Sequence, residues 1–190
     1  MEYYRKITLK NGREACLRNA GASDGQAVYD IFNLCHAETD YLLSYPDENR
    51  FDPEQESRYL EDKTNSPNEI EIMAIVDDKA VGTAGIEAVG TKHKVRHRAA
   101  FGISVLKEYW GIGLGKALAQ ACIECAQKAG YVQLELDVVA ENKRAVAMYQ
   151  NLGFQEFGRN PRGFNSRTAG YQELVYMFLA LQESAARNNP

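Results

Sequence analysis

No apolar run in this 190-residue chain approaches the ~18 residues that a membrane-spanning helix needs. The opening residues 1–6 also lack the apolar segment found in signal peptides. We therefore expect a cytoplasmic protein without a membrane partner.

Cysteine is scarce as well, since the chain holds four, too few for a disulfide framework at this size. A reducing compartment is therefore expected. Cys122 and Cys125 fall in the apolar stripe of a predicted helix, whereas redox pairs sit at helix N-termini, so both are expected in the core. The three histidines do not belong to a metal-ligand pattern in the sequence, which predicts that no metal is bound.

The chain also lacks a basic excess. Its formal net charge is −4 and its pI is about 5.5, whereas general nucleic-acid binders are usually basic. Nucleic acid is therefore not an expected partner, and the basic residues 92–98 are expected to form a solvated hairpin turn. The length and the ordinary hydrophobic fraction of 45% predict one globular domain, residues 1–182, followed by a C-terminal tail, residues 183–190.

What the chain does contain is a regular series of strand and helix patterns. Alternating apolar residues such as Phe101, Ile103 and Val105 predict strands, and apolar residues at helical spacing predict helices. The pair Asn11-Gly12 between two short runs predicts a two-residue hairpin. In chain order the predicted elements are strands 7–10 and 14–18, helices 24–35 and 53–63, strands 69–76, 80–89 and 99–105, helix 113–130, strand 131–139, helix 142–152, and strands 154–159 and 171–180. This order predicts a single α/β domain with a mixed, mostly antiparallel central sheet flanked by helices.

Three glycines, Gly111, Gly113 and Gly115, stand where the chain passes from a strand into a helix. Without a Cβ, their backbone can turn sharply and approach a ligand closely. The amide groups of the first helical turn have no intrahelical partner and, with the helix dipole, form an anion site that suits a pyrophosphate. Lys107 and Lys116 could add positive charge. Lys116 is followed by alanine, unlike a Walker A loop, and the glycine spacing differs from the dinucleotide fingerprint.

A second motif, Asn142-x-x-Ala145-x-x-x-Tyr149-x-x-x-Gly153-Phe154, falls on the next predicted helix. Asn142 is a good N-cap for that helix. Because two helical turns take ~7.2 residues, Asn142 and Tyr149 point nearly the same way. The small side chain of Ala145 between them leaves room for a ligand to pass along the helix.

Together, the two motifs resemble the cofactor-binding core of the GCN5-related N-acetyltransferase (GNAT) family, over roughly residues 69–179. The resemblance implies a GNAT fold in which strands 99–105 and 131–139 splay apart to form a cleft for acetyl-CoA. Trp110 stands where the family pattern has Gln or Arg. Since the family's phosphate contacts are mostly backbone amides, the resemblance still implies cofactor binding.

The resemblance also implies roles for individual residues. Tyr149 is implied as the general acid that protonates the departing thiolate. Asn142 and Ala145 are implied to lie along the pantetheine arm. The remaining cofactor-binding residues it implies are Ile103 and Val105 for the pantetheine and thioester, and Trp110, Gly111, Ile112, Gly113, Gly115 and Lys116 for the pyrophosphate turn.

The acceptor half of the reaction is less defined by the sequence. An amine with an ordinary pKa of about 10 must lose a proton before it attacks a thioester. The candidate bases are Asp137 and Glu135, on the polar face of the strand that precedes the second motif. Many family members carry a carboxylate near position 100, where this chain has Ala100, so the base stays open. Glu38 and Tyr41 fall where the family's first helix and loop cover the acceptor site, and they are candidates to bind a cationic substrate.

The expected function is therefore N-acetyl transfer from acetyl-CoA to a primary amine of a small molecule, protein or peptide, by direct attack in a ternary complex. The alternative is a non-catalytic acyl-CoA-binding or regulatory module on the same fold. Ala100 favours that alternative, whereas Tyr149 and Asn142 disfavour it. A nucleotide-binding enzyme is disfavoured by the glycine spacing. Because relatives are commonly dimers, a homodimer is also an expectation.

Overall fold

The computed structural model describes residues 1–181, so the expected tail, residues 183–190, lies outside the described residues. The described chain forms eight strands and four α-helices. The strands are β1 (Tyr4–Thr8), β2 (Glu14–Asn19), β3 (Ile70–Val76), β4 (Lys79–Ala88), β5 (Arg98–Val105), β6 (Gln133–Val139), β7 (Gln155–Ser166) and β8 (Gly170–Ala180). The helices are α1 (Gly25–Glu38), α2 (Pro53–Asn65), α3 (Leu114–Lys128) and α4 (Lys143–Asn151). In residues 1–181, no helix is long and apolar enough to cross a membrane.

All eight strands join one sheet, in the order β1-β2-β3-β4-β5-β6-β8-β7. Neighbouring strands are antiparallel except β5 and β6, which run parallel. The parallel pair is short, because it joins Arg98–Ala100 to Gln133–Glu135 and then ends. The predicted mixed, mostly antiparallel sheet with two splayed strands is therefore confirmed.

Helices cover both faces of the sheet. On one face α3 buries Leu118, Cys122 and Cys125 against the larger part of the core. On the other face α1 and α2 pack together, and Leu60 of α2 is fully buried with Met73 of β3 in a second cluster. Cys122 and Cys125 are thus core residues, as the sequence predicted.

The turn between β1 and β2 is longer than the sequence predicts. The strand register pairs Thr8 with Glu14, which leaves residues 9–13 in the connection. Leu9 N–H donates a 2.8 Å hydrogen bond to the Arg13 carbonyl and closes this turn. The prediction of a hairpin at this place is confirmed, but the prediction of a two-residue loop is wrong.

Strand β7 continues to Ser166, past the predicted end at residue 159. The stretch 160–163 has the composition of a turn, yet it is taken up as an irregularity in the pairing of β7 with β8. Gly163 permits this arrangement because a Cβ there would overlap the side chain of Leu174. The long β7–β8 hairpin reaches the loop that follows α1, and this contact bears on the site.

Candidate active site

The parting of β5 and β6 opens a cleft of about 890 Å³. Residues 101–105 of β5 and 136–139 of β6 form its walls, and the cleft-facing side of α4 adds to the lining. The loop after α1 contributes Tyr41, Leu42 and Leu43. The cleft therefore lies between the two strands that the resemblance identified.

The glycine-rich turn lies at this cleft. Gly111 and Gly113 have φ values of 83° and 95°, in the left-handed region that favours glycine. Helix α3 begins directly afterwards, and its first backbone hydrogen bond runs from Ala117 N–H to the Gly113 carbonyl at 3.1 Å. Gly115 and Lys116, in the turn before that bond, line the cleft. The free N–H groups at the N-terminus of α3 therefore lie beside the space that a ligand would occupy.

Two cations that the sequence analysis did not identify also line the cleft. The stem of Lys10, on the β1–β2 turn, packs beside Gly113, and Lys10 N–H donates a 3.0 Å hydrogen bond to the Ile112 carbonyl. The Arg144 guanidinium lies 5.8 Å from the centre of the Trp110 ring. Arg144 stands in the first turn of α4, where the helix dipole disfavours a cation. That unfavourable placement is a sequence signal for an anionic ligand that could have identified Arg144.

Trp110 supports the end of β5 as well as lining the cleft. Its indole Nε1–H donates a 2.7 Å hydrogen bond to the Val105 carbonyl. The carbonyl of Val105 is thus already engaged, whereas Ile103 lines the cleft further along the strand. Ile112 is placed differently from its neighbours, since its side chain packs against the core instead of lining the cleft.

The second motif places its residues as the helix geometry predicted. Asn142 caps α4, and its Oδ1 accepts a 3.2 Å hydrogen bond from Ala145 N–H. Both residues line the cleft, as does Tyr149 two turns later. The motif thus presents one face of α4 to the cleft.

Tyr149 is buried in an aromatic cluster at the cleft. Its ring meets Phe101 edge to face, with centroids 6.1 Å apart, and lies 5.7 Å from the ring of Phe154. Burial, followed by the negative charge of Asp137, raises the pKa of Tyr149 well above its ordinary value of 10. The phenol is therefore protonated at neutral pH.

The structure separates the two candidate bases. Asp137 is exposed and lines the cleft. Glu135 is paired with the Arg98 guanidinium, and its carboxylate also accepts a 2.7 Å hydrogen bond from Gln133. The Arg98 pair holds the pKa of Glu135 below its ordinary value, and Glu135 does not line the cleft. Glu135 is thus placed to hold β5 and β6 together where they still pair.

The two candidate substrate-binding residues near the end of α1 also lie in different surroundings. Tyr41 lines the cleft, whereas the Glu38 carboxylate accepts a 2.7 Å hydrogen bond from Lys107 N–H and does not line the cleft. Cys35 of α1 does reach the lining. Burial, with the nearby charge of Glu38, raises the pKa of the Cys35 thiol to about 12.

With this geometry established, the chain can be compared with known proteins. The Acetyltransferase (GNAT) family model matches residues 26–154, about two thirds of the chain. The chain belongs to the GNAT family. This GNAT protein is 36% identical over 81 residues to [ribosomal protein bS18]-alanine N-acetyltransferase of Escherichia coli K12, a match that covers 43% of this chain and 54% of the relative.

A second curated relative of this GNAT protein is human N-acetyltransferase 8B, 32% identical over 89 residues, which are 46% of this chain and 39% of the relative. The chain therefore spans about half the length, or less, of these curated relatives. Among solved structures, an acetyltransferase of GNAT family from Streptococcus pneumoniae has a TM-score of 0.84 and 28% identity, over 88% of this chain and 99% of the other.

The fold is also shared with a Salmonella typhimurium protein solved with its cofactor acetyl-CoA. The TM-score is 0.78 over 93% of this GNAT chain and 99% of that one. At 19% identity this likeness shows the fold alone. The fold and family thus agree with what the sequence motifs implied.

Proposed function

We propose that this protein is an N-acetyltransferase that transfers the acetyl group of acetyl-CoA to a primary amine, by direct attack in a ternary complex. The observation that carries the proposal is the cleft between β5 and β6, which is lined by both an anion-binding turn and Tyr149. Residues 1–182 form the proposed acetyltransferase domain.

The residues present fit acetyl-CoA as the acyl donor. A pyrophosphate would be bound by the free amides at the start of α3, with Lys10, Lys116 and Arg144 supplying positive charge at the same cleft. Beyond Ala100, β5 has no further pairing with β6, so backbone groups such as those of Ile103 can pair with the amides of a pantetheine arm. Cofactor binding on this chain thus combines backbone donors with side-chain cations.

Tyr149 is proposed as the general acid. Its buried hydroxyl carries a proton at neutral pH, which is the form that can protonate a departing thiolate. We assign to Asp137 the supporting role of keeping that pKa high, since its charge opposes formation of the phenolate. When the acetylated nitrogen loses its surplus proton, the tyrosine recovers the proton that it gave.

Direct attack is favoured over a covalent enzyme intermediate because the cysteine at the cleft is unreactive. With its pKa raised to about 12, the Cys35 thiol carries almost no thiolate at neutral pH, and the thiolate is the nucleophilic form. Cys122 and Cys125 are buried in the core. The amine of the acceptor is therefore the proposed nucleophile.

The acceptor is proposed to be a primary amine of a small molecule or a peptide. The name of the Escherichia coli relative, [ribosomal protein bS18]-alanine N-acetyltransferase, refers to an amine of a protein, and a Schizosaccharomyces pombe relative is named N-alpha-acetyltransferase 30. Tyr41 lies on the loop that lines the cleft and is the proposed substrate contact. Glu38 and Glu135 are proposed to act in structure only, given the partners that they already have.

The test measures free thiol released from acetyl-CoA across pooled amines, with cofactor binding followed in parallel. Trp110 is the single tryptophan of the sequence and lines the cleft, so its fluorescence reports acetyl-CoA binding directly. Binding together with thiol release from at least one pool supports the proposal. Binding without release from any pool would favour the non-catalytic acyl-CoA-binding module, which Ala100 in place of a carboxylate supports. Absence of both would overturn the assignment.

A further inference from the structure

A second cavity, of about 750 Å³, opens on the face of the sheet that α1 and α2 cover. It shares Leu42, Leu43 and residues 101–104 of β5 with the cofactor cleft. The two cavities therefore meet at the same segment of β5. A molecule in the second cavity would therefore lie beside the same segment of β5 as a ligand in the cleft.

The floor of the second cavity is made of small residues, and one carboxylate lies on it. The strand register places Glu71 of β3, Gly85 of β4 and Gly102 of β5 side by side. A Cβ at residue 85 would overlap Glu71 Oε2, so the carboxylate lies over Gly85. Because adjacent strands are ~4.8 Å apart, this carboxylate stands about one strand spacing from the segment where the cavities meet.

The charged lining of the second cavity is mostly acidic. Its charged residues are Glu48, Glu56, Glu71, Glu87 and Arg50. Burial lowers the pKa of His36, which also lines the cavity, so the imidazole adds no positive charge at neutral pH. The cavity therefore favours a cationic occupant and disfavours an anionic one.

Glu56 of α2 is the lining residue that most directly indicates a missing partner. The residue as a whole is 8% exposed, and within residues 1–181 its carboxylate makes no hydrogen bond or ion pair to another side chain. Glu87, by contrast, is paired with Lys63 at 2.8 Å and accepts a 2.7 Å hydrogen bond from the Tyr59 hydroxyl. Within residues 1–181 no side-chain oxygen is both fully buried and unpartnered, so the Glu56 carboxylate opens into the cavity, where it is suited to a ligand cation.

We propose that the second cavity is the acceptor site, where Glu56 and Glu71 bind the ammonium group of a compact organic cation and Glu71 takes its proton. The inference rests on the proposed N-acetyltransferase function, because it assigns the acceptor half of the same reaction. It gives the role of base to Glu71 in place of Asp137 and Glu135.

The proton and bond changes balance without a further reactant. The ammonium group gives one proton to Glu71, and the neutral nitrogen then attacks the thioester carbon. As the carbon–sulfur bond breaks, the thiolate takes a proton from Tyr149, and the nitrogen returns its second proton to that tyrosine. Glu71 releases its proton to solvent, so the products are an acetamide, CoA thiol and one proton.

Glu71 has the proton affinity that this role requires. Burial raises the pKa of Glu71 from its ordinary 4.5 to about 7, and the negative charges of Glu56 on α2 and Glu87 on β4 add to that effect. Thr83 on β4 and the positive charge of Lys63 on α2 act in the opposite direction.

Two other titratable groups interact with the charge of Glu71, Tyr59 on the same face of the sheet and Cys122 on the opposite face. Tyr59 of α2 and Cys122 of α3 both feel its charge, and burial raises both of their pKa values, so both are neutral near pH 7. The carboxylates of Glu56 and Glu87 and the ammonium of Lys63 are thus the charges that set the proton affinity of Glu71. A base that titrates near the working pH is effective in proton transfer.

The aromatic residues of the lining indicate the chemical class of the acceptor. Phe32, Phe51 and Tyr59 place aromatic rings around the same cavity, and aromatic faces attract organic cations. The acidic groups of this lining would repel a carboxylate on the acceptor. Among the lining residues, Arg50 carries the positive charge that could offset this repulsion. The expected acceptor is therefore a primary amine without a carboxylate.

The test compares matched pairs of probes that differ by one carboxylate. Tyramine is compared with tyrosine, and 1,4-diaminobutane with ornithine, by thiol release and by calorimetric binding in the presence of CoA. We expect the decarboxylated member of at least one pair to have a kcat/KM at least tenfold higher. Equal or better use of the carboxylated members would overturn the proposed acceptor class, as would failure of both amines to bind while acetyl-CoA still binds.

The role of Glu71 is tested with Glu71→Gln and with Gly85→Ala, whose new methyl group displaces the Glu71 carboxylate without removing it. For wild type, kcat/KM should rise with pH through about 7. Glu71→Gln should lower kcat/KM at least 100-fold and abolish that rise, and Gly85→Ala should lower kcat/KM and move the midpoint of the rise. The control Glu61→Gln changes an exposed carboxylate on α2 and should behave as wild type.

Cofactor binding separates the possible failures. Unchanged quenching of Trp110 by acetyl-CoA in each variant shows that the fold and the cofactor site are intact. Suppose that Glu71→Gln or Gly85→Ala keeps kcat/KM within about threefold of wild type and still shows the rise of kcat/KM with pH. The role of Glu71 is then overturned, while the proposed function stands. Absence of cofactor binding by the wild-type protein would instead overturn the proposed function.

Discussion

Asp40 Oδ2 accepts a 2.8 Å hydrogen bond from the Thr168 hydroxyl, across 128 residues of the sequence. The same oxygen accepts from the Ser166 hydroxyl, and Asp40 Oδ1 accepts a 2.8 Å hydrogen bond from the Tyr45 hydroxyl. The bonds from Ser166 and Thr168 attach the loop after α1 to the tip of the β7–β8 hairpin, and the bond from Tyr45 lies within that loop. Leu42, within that loop, lines both cavities, so the attachment fixes a wall that the cofactor cleft shares with the proposed acceptor site.

Removal of this attachment should loosen the shared wall. In Asp40→Ala three hydroxyl groups lose their charged acceptor, and a hydrogen bond to a charged group is worth ~1.5–3 kcal/mol. We expect the KM for the amine to rise several-fold, with faster amide hydrogen exchange in residues 40–48 and 164–170. Asp47→Ala is the matched control. It breaks an exposed ion pair to Arg167, of a kind that usually contributes little, and should change the KM by less than twofold. Equal effects of the two substitutions would contradict this account.

The glycine turn gives a second prediction. Gly113→Asp places a negative charge beside the free amides of α3 and a side chain at a φ of 95°. Repulsion of the pyrophosphate should weaken acetyl-CoA binding at least tenfold, or ~1.4 kcal/mol, as measured by Trp110 fluorescence.

The matched control for that substitution is Gly130→Asp, at the other end of α3. Its φ is 79°, so the control carries the same charge change and similar backbone strain away from the cleft. We expect Gly130→Asp to lower stability without weakening acetyl-CoA binding. Tight binding by Gly113→Asp would refute the placement of the pyrophosphate.

A third prediction concerns the tyrosine hydroxyl. Tyr149→Phe keeps the ring that packs against Phe101 and Phe154 and removes the proposed proton donor. The kcat should fall ~10-fold or more, with little change in acetyl-CoA affinity. Tyr131→Phe removes another buried hydroxyl, one that accepts a 2.6 Å hydrogen bond from Asn68, and should leave kcat unchanged. An unchanged kcat in Tyr149→Phe would remove this residue from the acid role.

The cofactor half of the site could be predicted from the sequence because its residues are local. The glycine turn and the Asn142–Tyr149 motif each lie within one strand–helix or helix segment, where spacing alone fixes geometry. The strands and helices were also predictable, since their hydrophobic periods are clear. The length of β7 could not be predicted, because its residues 160–163 resemble a turn. Such a stretch can still be part of a strand when a long partner strand lies beside it.

Apart from Arg144, the residues that the sequence did not reveal come from distant segments. Lys10 reaches the cleft because the β1–β2 turn packs on the glycine turn, a contact between residues about a hundred positions apart. Glu56 and Glu71 meet at one cavity through the packing of α2 on β3 and the register of three strands. Glu71 also lies in a hydrophobic strand, where nothing local distinguishes a carboxylate that lines a cavity from one at a solvated strand edge.

The raised pKa of Glu71 should be measurable as a pH dependence of stability. Its folded-state pKa of about 7 lies above the ordinary 4.5 of an unfolded chain, so the folded state binds this proton more tightly. The stabilisation from protonated Glu71 is full below pH 4.5 and is lost as pH rises towards 7. Glutamine does not titrate, so the free energy of unfolding of Glu71→Gln should rise by about 3 kcal/mol relative to wild type between pH 4.5 and 8.5.

Glu87→Gln provides a control of opposite sign for this stability measurement. Burial raises the pKa of Glu87, but its bonds to Lys63 and Tyr59 outweigh burial and hold the pKa below its ordinary value. The stability from Glu87 is therefore present above the unfolded pKa and is lost as pH falls through the lower folded pKa. Relative to wild type, Glu87→Gln should become less stable as pH rises, whereas Glu71→Gln becomes more stable. Urea unfolding at pH 4.5, 6.5 and 8.5 measures both differences, and parallel curves for wild type and Glu71→Gln would show that Glu71 titrates as an ordinary surface carboxyl.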